Sequence, residues 1–247
     1  MTKSLYLKEG EKLTFQFDNL AASLQGAVAY IPVTLKLTLV TFVWSILIGF
    51  LIAVIRNYKV PVLSKFLGVF ITVYMGLPLM VALVIYHLLF LTYYENIALF
   101  FHISKSVNEI NPLIVGYIAL ISTSVCSYSE TIRGALMSVD HTQYEAGYSI
   151  GLTKRQTFFR IILPQSVPTI VPGLINNLVG TIKGTNLVSA IGIIEVMGGA
   201  LYPCSRTYSY LEGYVAAALV YWLISFVLET IARRVEVVSN RFRRQLV

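Results

Sequence analysis

The sequence predicts an all-α bundle built into a membrane, with five spanning helices. Three observations carry this reading. Charged residues make up 13% of the chain and hydrophobic residues 56%, with a mean hydropathy of +0.72, whereas soluble domains carry about a quarter charged residues. Apolar stretches recur at the length that crosses a bilayer, roughly 20 helical residues for about 30 Å of hydrocarbon. Lipid offers no partners to a bare backbone, so every amide must bond within its own segment, and that favours helices over an open sheet.

The spans are expected at about 33–55, 64–92, 112–137, 161–183 and 210–232. Span two contains Gly76 and Pro78, a kink, because proline removes a backbone donor and clashes with the preceding turn. In span four Pro164, Pro168 and Pro172 recur every four residues and share one face. Pro164 is expected to start the helix and the other two to bend its first half. Residues 187–201 are apolar but short and contain Glu195, which fits a re-entrant or interfacial helix better than a sixth span. Residues 1–30 form an N-terminal segment, either a weakly amphipathic surface helix from about residue 13 or a plain leader into span one. Its first 18 residues are polar, without the apolar core of a cleavable signal. The spanning domain covers 31–236, and 237–247 is a basic tail. The chain shows no repeat or long linker that would mark a second domain.

Charge placement orients the bundle. Arg56, Lys59, Lys65, Arg133, Lys154, Arg155, Arg160, Arg233, Arg234, Arg241, Arg243 and Arg244 fall on one side of the spans, twelve of the 19 Lys and Arg. Positive loops stay in the cytoplasm, so the N-terminus is expected outside and the C-terminus inside, in a prokaryotic plasma or inner membrane. The net charge of +7 then reflects topology, and no nucleic-acid partner is expected. Cys126 sits in a span and Cys204 in a loop, which makes no disulfide framework. His87, His102 and His141 have no carboxylate or cysteine spacing around them, so no metal site is expected.

Between spans three and four lies an unusually polar insert. Residues 140–151 read as a short helix, with Asp140 as N-cap and Gly151 as the stop. A helix of about three turns is marginal alone, so it has to pack on the bundle, on a partner, or on the inner leaflet. Tyr144 and Tyr148 stand one turn apart with Glu145 beside them. Polar groups inside spans default to functional candidates: Asn176, Asn177 and Lys183 on span four, and Thr72 and Tyr74 on span two. The two asparagines equally fit helix-to-helix hydrogen bonds, and Lys183 equally fits a reach to the outer interface. Glu130 and Arg133, one turn apart, are expected to form an ion pair. No catalytic cluster is visible.

The insert carries a resemblance. Glu145-Ala146, Gly151 and Ile161-x-Leu163-Pro164 resemble the EAA loop of ABC importer permeases, E-A-A-x-x-x-G-x9-I-x-L-P. Residues 74–79 (YMGLPL), 127–134 (SYSETIRG), 163–165 (LPQ) and 182–187 (IKGTNL) are similar to segments of the polar amino-acid uptake branch of that family. The resemblance covers nearly the whole chain and implies the type I importer (MetI-like) permease fold. It departs at Gly147, which replaces the motif's second alanine at up to ~1 kcal/mol of helix propensity. It departs again at Leu77, Ala82, Gly184 and Asn186, near positions that could meet solute.

What the resemblance implies is specific. The chain would be the permease of an importer for a polar amino acid such as cystine, glutamine or a basic one. It would dock on two ATP-binding-cassette subunits and pair with a second permease, a copy or a paralogue. A solute-binding protein outside would deliver the cargo. The chain contains no G-x-x-x-x-G-K-[ST] phosphate loop, so ATP and Mg would sit on the partner and no cofactor on this chain. Glu145 would anchor the coupling helix, Ala146 and Gly147 would allow close approach, Gly151 would form the exit turn, and Tyr144 and Tyr148 would fill the ATPase groove. Lys154 and Arg155 complete the coupling set. The rival readings are a stand-alone channel or secondary transporter, or an ABC permease for another solute; the secondary transporter would usually show repeated halves and a mid-membrane charge.

Overall fold

The computed structural model describes residues 15–245 except 103 and 105, and no side chain of 108 or 236–245. Eleven α-helices occur among the described residues, and no strand. Five are long and apolar enough to span, counting one composite helix from Lys154 to Ile191.

Helix α1 (Phe17–Ala29) is followed, after a break at Tyr30, by the first span, α2 (Ile31–Asn57). Ser23 and Ala27 of α1 are buried, because α1 packs along the last helix and the segment before it. The surface helix expected from sequence is thus tied to the bundle, and its part before residue 15 lies outside the described residues. The buried face of α2 is a line of small residues, Thr34, Thr38, Thr41, Ser45, Gly49 and Ala53. Small side chains let membrane helices approach closely where no hydrophobic effect separates lipid from leucine. They meet α5 (Leu113–Met137): a Cβ on Gly49 would stand 3.1 Å from the Ser129 nitrogen. Leu37 packs with Val115 and Ala119, and Ala53 with Ile132 and Leu136. The two spans therefore run the same way, as one intervening crossing requires.

That crossing is not the continuous helix expected over 64–92. It is two helices, α3 (Leu63–Met75) and α4 (Leu79–Phe100), broken at Gly76-Leu77-Pro78. Pro78 is the N-cap of α4 with ψ 133°, an extended conformation that ends one helix and starts the next. At the break, Ile71 and Tyr74 pack on Cys126 near the middle of α5, and the Tyr74 hydroxyl donates to the Tyr86 hydroxyl at 3.0 Å.

After α5 come the short α6 (His141–Ser149) and α7 (Lys154–Thr157), a wide π-turn (Phe158–Ile162) and α8 (Leu163–Gly184). Pro164 lies in the first turn of α8. It has no N–H for the Arg160 carbonyl and its ring would strike that carbonyl in a regular turn; the wide turn moves the carbonyl away. Pro168 and Pro172 sit inside α8 as expected. Residues 187–201 are not one helix. A 3₁₀ segment (Thr185–Ile191) ends at Gly192, whose φ of 83° favours glycine, and α9 (Val196–Leu201) follows. Here α1 and α9 touch backbone to backbone: a Cβ on Gly26 would lie 2.3 Å from the Gly199 carbonyl oxygen. A single turn, α10 (Cys204–Thr207), leads to α11 (Tyr210–Gln245). Its spanning part is Tyr210–Val235, and the helical backbone continues to Gln245.

Candidate functional site

Helix α6 is built from two local signals and one contact. Asp140 accepts from the Thr142 amide at 2.9 Å and from its hydroxyl at 2.9 Å. Those bonds, the backbone one first, hold the Asp140 carboxyl below the usual carboxylate range. The cap is therefore complete above the unfolded-state pKa and is lost as pH falls through the lowered value. At the other end Gly151 (φ 82°) closes a double turn: its amide reaches the Tyr148 carbonyl and the Leu152 amide reaches the Gly147 carbonyl, both at 3.0 Å. Replacing Asp140 by alanine is expected to speed amide exchange at Thr142 and Gln143, read by hydrogen-exchange mass spectrometry.

The contact is Gly147. It is buried against the second leg of the insert, where an added Cβ would lie 2.7 Å from Thr157 Cγ2 and 2.8 Å from its Oγ1. The close approach that sequence reading assigned to a partner is therefore made within the chain. Tyr144 turns inward too: it packs against the buried cluster that includes Ile132, Phe158 and Ile162, and Asn57 Nδ2 donates to its hydroxyl at 3.2 Å. Gln165 and Gln143 join at 3.1 Å. The outward face carries Glu145, with 67% of its side chain exposed and His141 Nδ1 at 3.3 Å, then Ala146, Tyr148 and Ile150. Of the two tyrosines only Tyr148 faces out, and Ile150, 75% exposed, was not singled out from sequence although it follows the same turn. Lys154 and Arg155 stand exposed on α7, which starts with a Thr153–Gln156 capping box. Tyr58, just past α2, donates to the Lys154 carbonyl at 3.3 Å; burial, then the nearby Tyr144 and Tyr148, push its phenol up to about 12.

Above α6 the expected Glu130–Arg133 pair is present at 2.8 Å, and Arg56 of α2 joins the other carboxylate oxygen. One carboxylate thus ties α2 to α5 where the insert begins.

The five solute candidates do not converge. Thr72 is exposed and donates to its own helix at Gly68, while Tyr74 is buried at the α3–α4 break. Asn177 donates to Thr131 of α5 at 2.9 Å, a bond between helices, and Asn176 is exposed. Lys183 lines a cavity of about 510 Å³ between α8 and α11. Its other walls include Asn186, Tyr221, Ser225, Phe226 and Glu229. The residues from α11 were missed because that span reads as uniformly apolar; Glu229 at its end was the available signal. Behind Tyr221 lies Glu195, fully buried, accepting from Thr34 Oγ1 at 2.9 Å, from the Met197 amide at 2.7 Å and from the Tyr221 hydroxyl. Burial raises its carboxyl above the ordinary range against those donors.

Comparisons with known proteins agree with this geometry. Residues 45–237 match the family described as binding-protein-dependent transport system inner membrane component. The chain is 31% identical over 214 residues to the probable amino-acid permease protein YxeN of Bacillus subtilis, covering 87% of this chain and 91% of that one. It is 33% identical over 221 residues to the L-cystine transport system permease protein TcyB of the same organism, covering 89% and 87%. A crystal structure of an amino acid ABC transporter with histidines superposes with a TM-score of 0.75 at 27% identity, over 91% of this chain and 99% of that one. An inward-facing MetNI methionine ABC transporter shares the fold, at a TM-score of 0.61 and 18% identity over 85% of this chain and 96% of that one. Five apolar spans, an insert helix seated on their ends, and a family match over most of the chain lead to one conclusion: the chain is a multi-pass membrane protein with the type I ABC importer permease fold and belongs to the binding-protein-dependent transport system inner membrane component family.

Proposed function

We propose that this chain is the permease subunit of an ABC importer that moves a polar amino acid inward, with α6 as the coupling helix of an ATPase. The observation that carries it is the two-sidedness of α6. Its inner face is locked to the spans through Gly147, Tyr144 and Gln143, and its outer face presents Glu145, Tyr148 and Ile150 with nothing covering them among the described residues. A push on the outer face is then transmitted to α2, α5 and α8 as a rigid body. ATP and Mg belong to that partner, two copies of which would serve two permeases, with the α6 end in the cytoplasm and the N-terminus outside.

The cavity between α8 and α11 supports the cargo. Lys183 and Glu229 line it, a cation and a carboxylate, the two charges that a zwitterionic amino acid presents in complement. Its aromatic rim is open, with Trp222 65% and Phe226 54% exposed and their rings stacked at 5.7 Å. A second permease, copy or paralogue, would close that side. A solute-binding protein outside would deliver cystine, glutamine or a basic amino acid.

Reconstitution with the copurifying ATPase and its binding protein tests this. ATP-dependent uptake of one labelled amino acid is expected, falling at least about tenfold in Lys183→Met, the equivalent of ~1.4 kcal/mol. Uptake by this chain without any ATPase would replace the reading with a stand-alone carrier or channel.

A further inference from the structure

A second cavity, of about 410 Å³, opens beside the insert. Leu51 and Val54 of α2 form one wall, and Phe158 and Phe159 of the π-turn the other. The floor is firm: the Phe158 ring is 2% exposed and lies 5.7 Å from Tyr58 and 6.4 Å from Phe50. The walls are open, with Leu51 60% and Phe159 52% exposed. At one end stand Lys154 and Arg155, and neither has a carboxylate within 4 Å among the described residues.

We infer that this groove is a binding site for one anionic phospholipid of the inner leaflet. Leu51 and Val54 belong to a spanning helix, so the groove runs from the cation-bearing turn into the depth that acyl chains occupy. A soluble partner seated on α6 would meet the cations but has no reason to fill the apolar part. A lipid fills both: tails lie on Leu51, Val54 and Phe159, and the phosphate meets two cations that lack any protein counter-charge. Basic pockets at the inner ends of spans take anionic headgroups in this way. The occupant would brace α2 against the elbow that carries α6, so lipid composition would tune how firmly the coupling helix is seated. The inference rests on the reading that α6 faces the cytoplasm, and it gives Lys154 and Arg155 a role apart from ATPase docking.

The test uses the full tagged chain with its copurifying ATPase. The complex is exchanged into nanodiscs of phosphatidylcholine with increasing phosphatidylglycerol, and retained lipid is counted by native mass spectrometry. Each cation near an anionic headgroup is worth about a fivefold preference, roughly 25-fold for two. Wild type should retain one phosphatidylglycerol per chain with about that preference, undiminished by excess inorganic phosphate. Lys154→Ala/Arg155→Ala should lose the preference, and Leu51→Trp should lose the lipid with both charges in place. Glu145→Arg should release the ATPase and keep the lipid, which separates this site from the coupling reading. Equal retention of both lipids by wild type, competition by free phosphate, or a double variant that loses the ATPase while its lipid preference stands would each overturn the inference.

Discussion

Glu195→Ala is expected to lower the stability of the folded chain by about 3–5 kcal/mol, from two orphaned buried hydroxyls and the space left behind. The buried carboxylate is the meeting point of three elements. Thr34 comes from α2, Tyr221 from α11, and the Met197 amide from the first turn of α9, which Glu195 itself caps. Alanine would leave the Thr34 hydroxyl without its acceptor, free the Tyr221 hydroxyl inside the bundle and uncap α9. The Tyr221 ring lines the cavity between α8 and α11, so under the proposed function the loss should also reach cargo binding. In detergent the apparent melting temperature should fall by about 10 °C. Glu195→Gln keeps the shape and one acceptor and should cost about 1 kcal/mol. Because burial raises the folded-state pKa of Glu195, wild type should gain stability relative to Gln as pH falls through that raised value toward the ordinary carboxylate range. A melting temperature unchanged in the alanine variant would remove Glu195 from this central role.

Gly147→Val is expected to unseat α6, the proposed coupling helix. Its Cβ would press on Thr157, which is buried and backed by the π-turn, and overpacking of this kind costs about 1–3 kcal/mol. The helix has only nine residues and little stability of its own, so it should lift away rather than compress its neighbour. Amide exchange across α6 should rise by about tenfold to a hundredfold, with ATPase coupling lost. Adding Thr157→Ala removes the obstructing methyl and hydroxyl and should recover most of both. An exchange pattern that Gly147→Val leaves untouched, or that Thr157→Ala fails to rescue, would place the contact elsewhere. The pair also accounts for the departure from the second alanine of the EAA pattern: Thr157 occupies the space that alanine's methyl would take.

What could be read from the sequence was local. Asp140 and Gly151 bracket α6 because capping depends on residues two or three positions away, and the structure places both at the expected ends. Apolar length located α2, α5 and α11, and charge spacing located Glu130 with Arg133. Span two was only half legible. Gly76 and Pro78 announced a bend, but whether a bend becomes a break depends on what receives the two helix ends, and that is Cys126 of α5 and Tyr86 of α4. The cavity walls on α11 and the partners of Glu195 were not legible at all. Thr34 lies 161 residues before Glu195 and Tyr221 26 after it, and nothing along α11 says which face will line a space. Arg56 is another such case, 74 residues from the carboxylate it joins.

The central claim is that the outward face of α6 holds an ATPase. It is tested most directly by purifying the tagged chain from its native cells in mild detergent, beside Glu145→Arg, and identifying what copurifies by mass spectrometry. Glu145 is two-thirds exposed and its carboxylate meets His141 on its own helix, so the variant should fold as wild type does. The account predicts an ATP-binding-cassette subunit with wild type and its loss, by at least about tenfold, with the variant, equivalent to ~1.4 kcal/mol of docking energy. An ATPase absent from both, even after crosslinking before lysis, or retained equally by both, would contradict it.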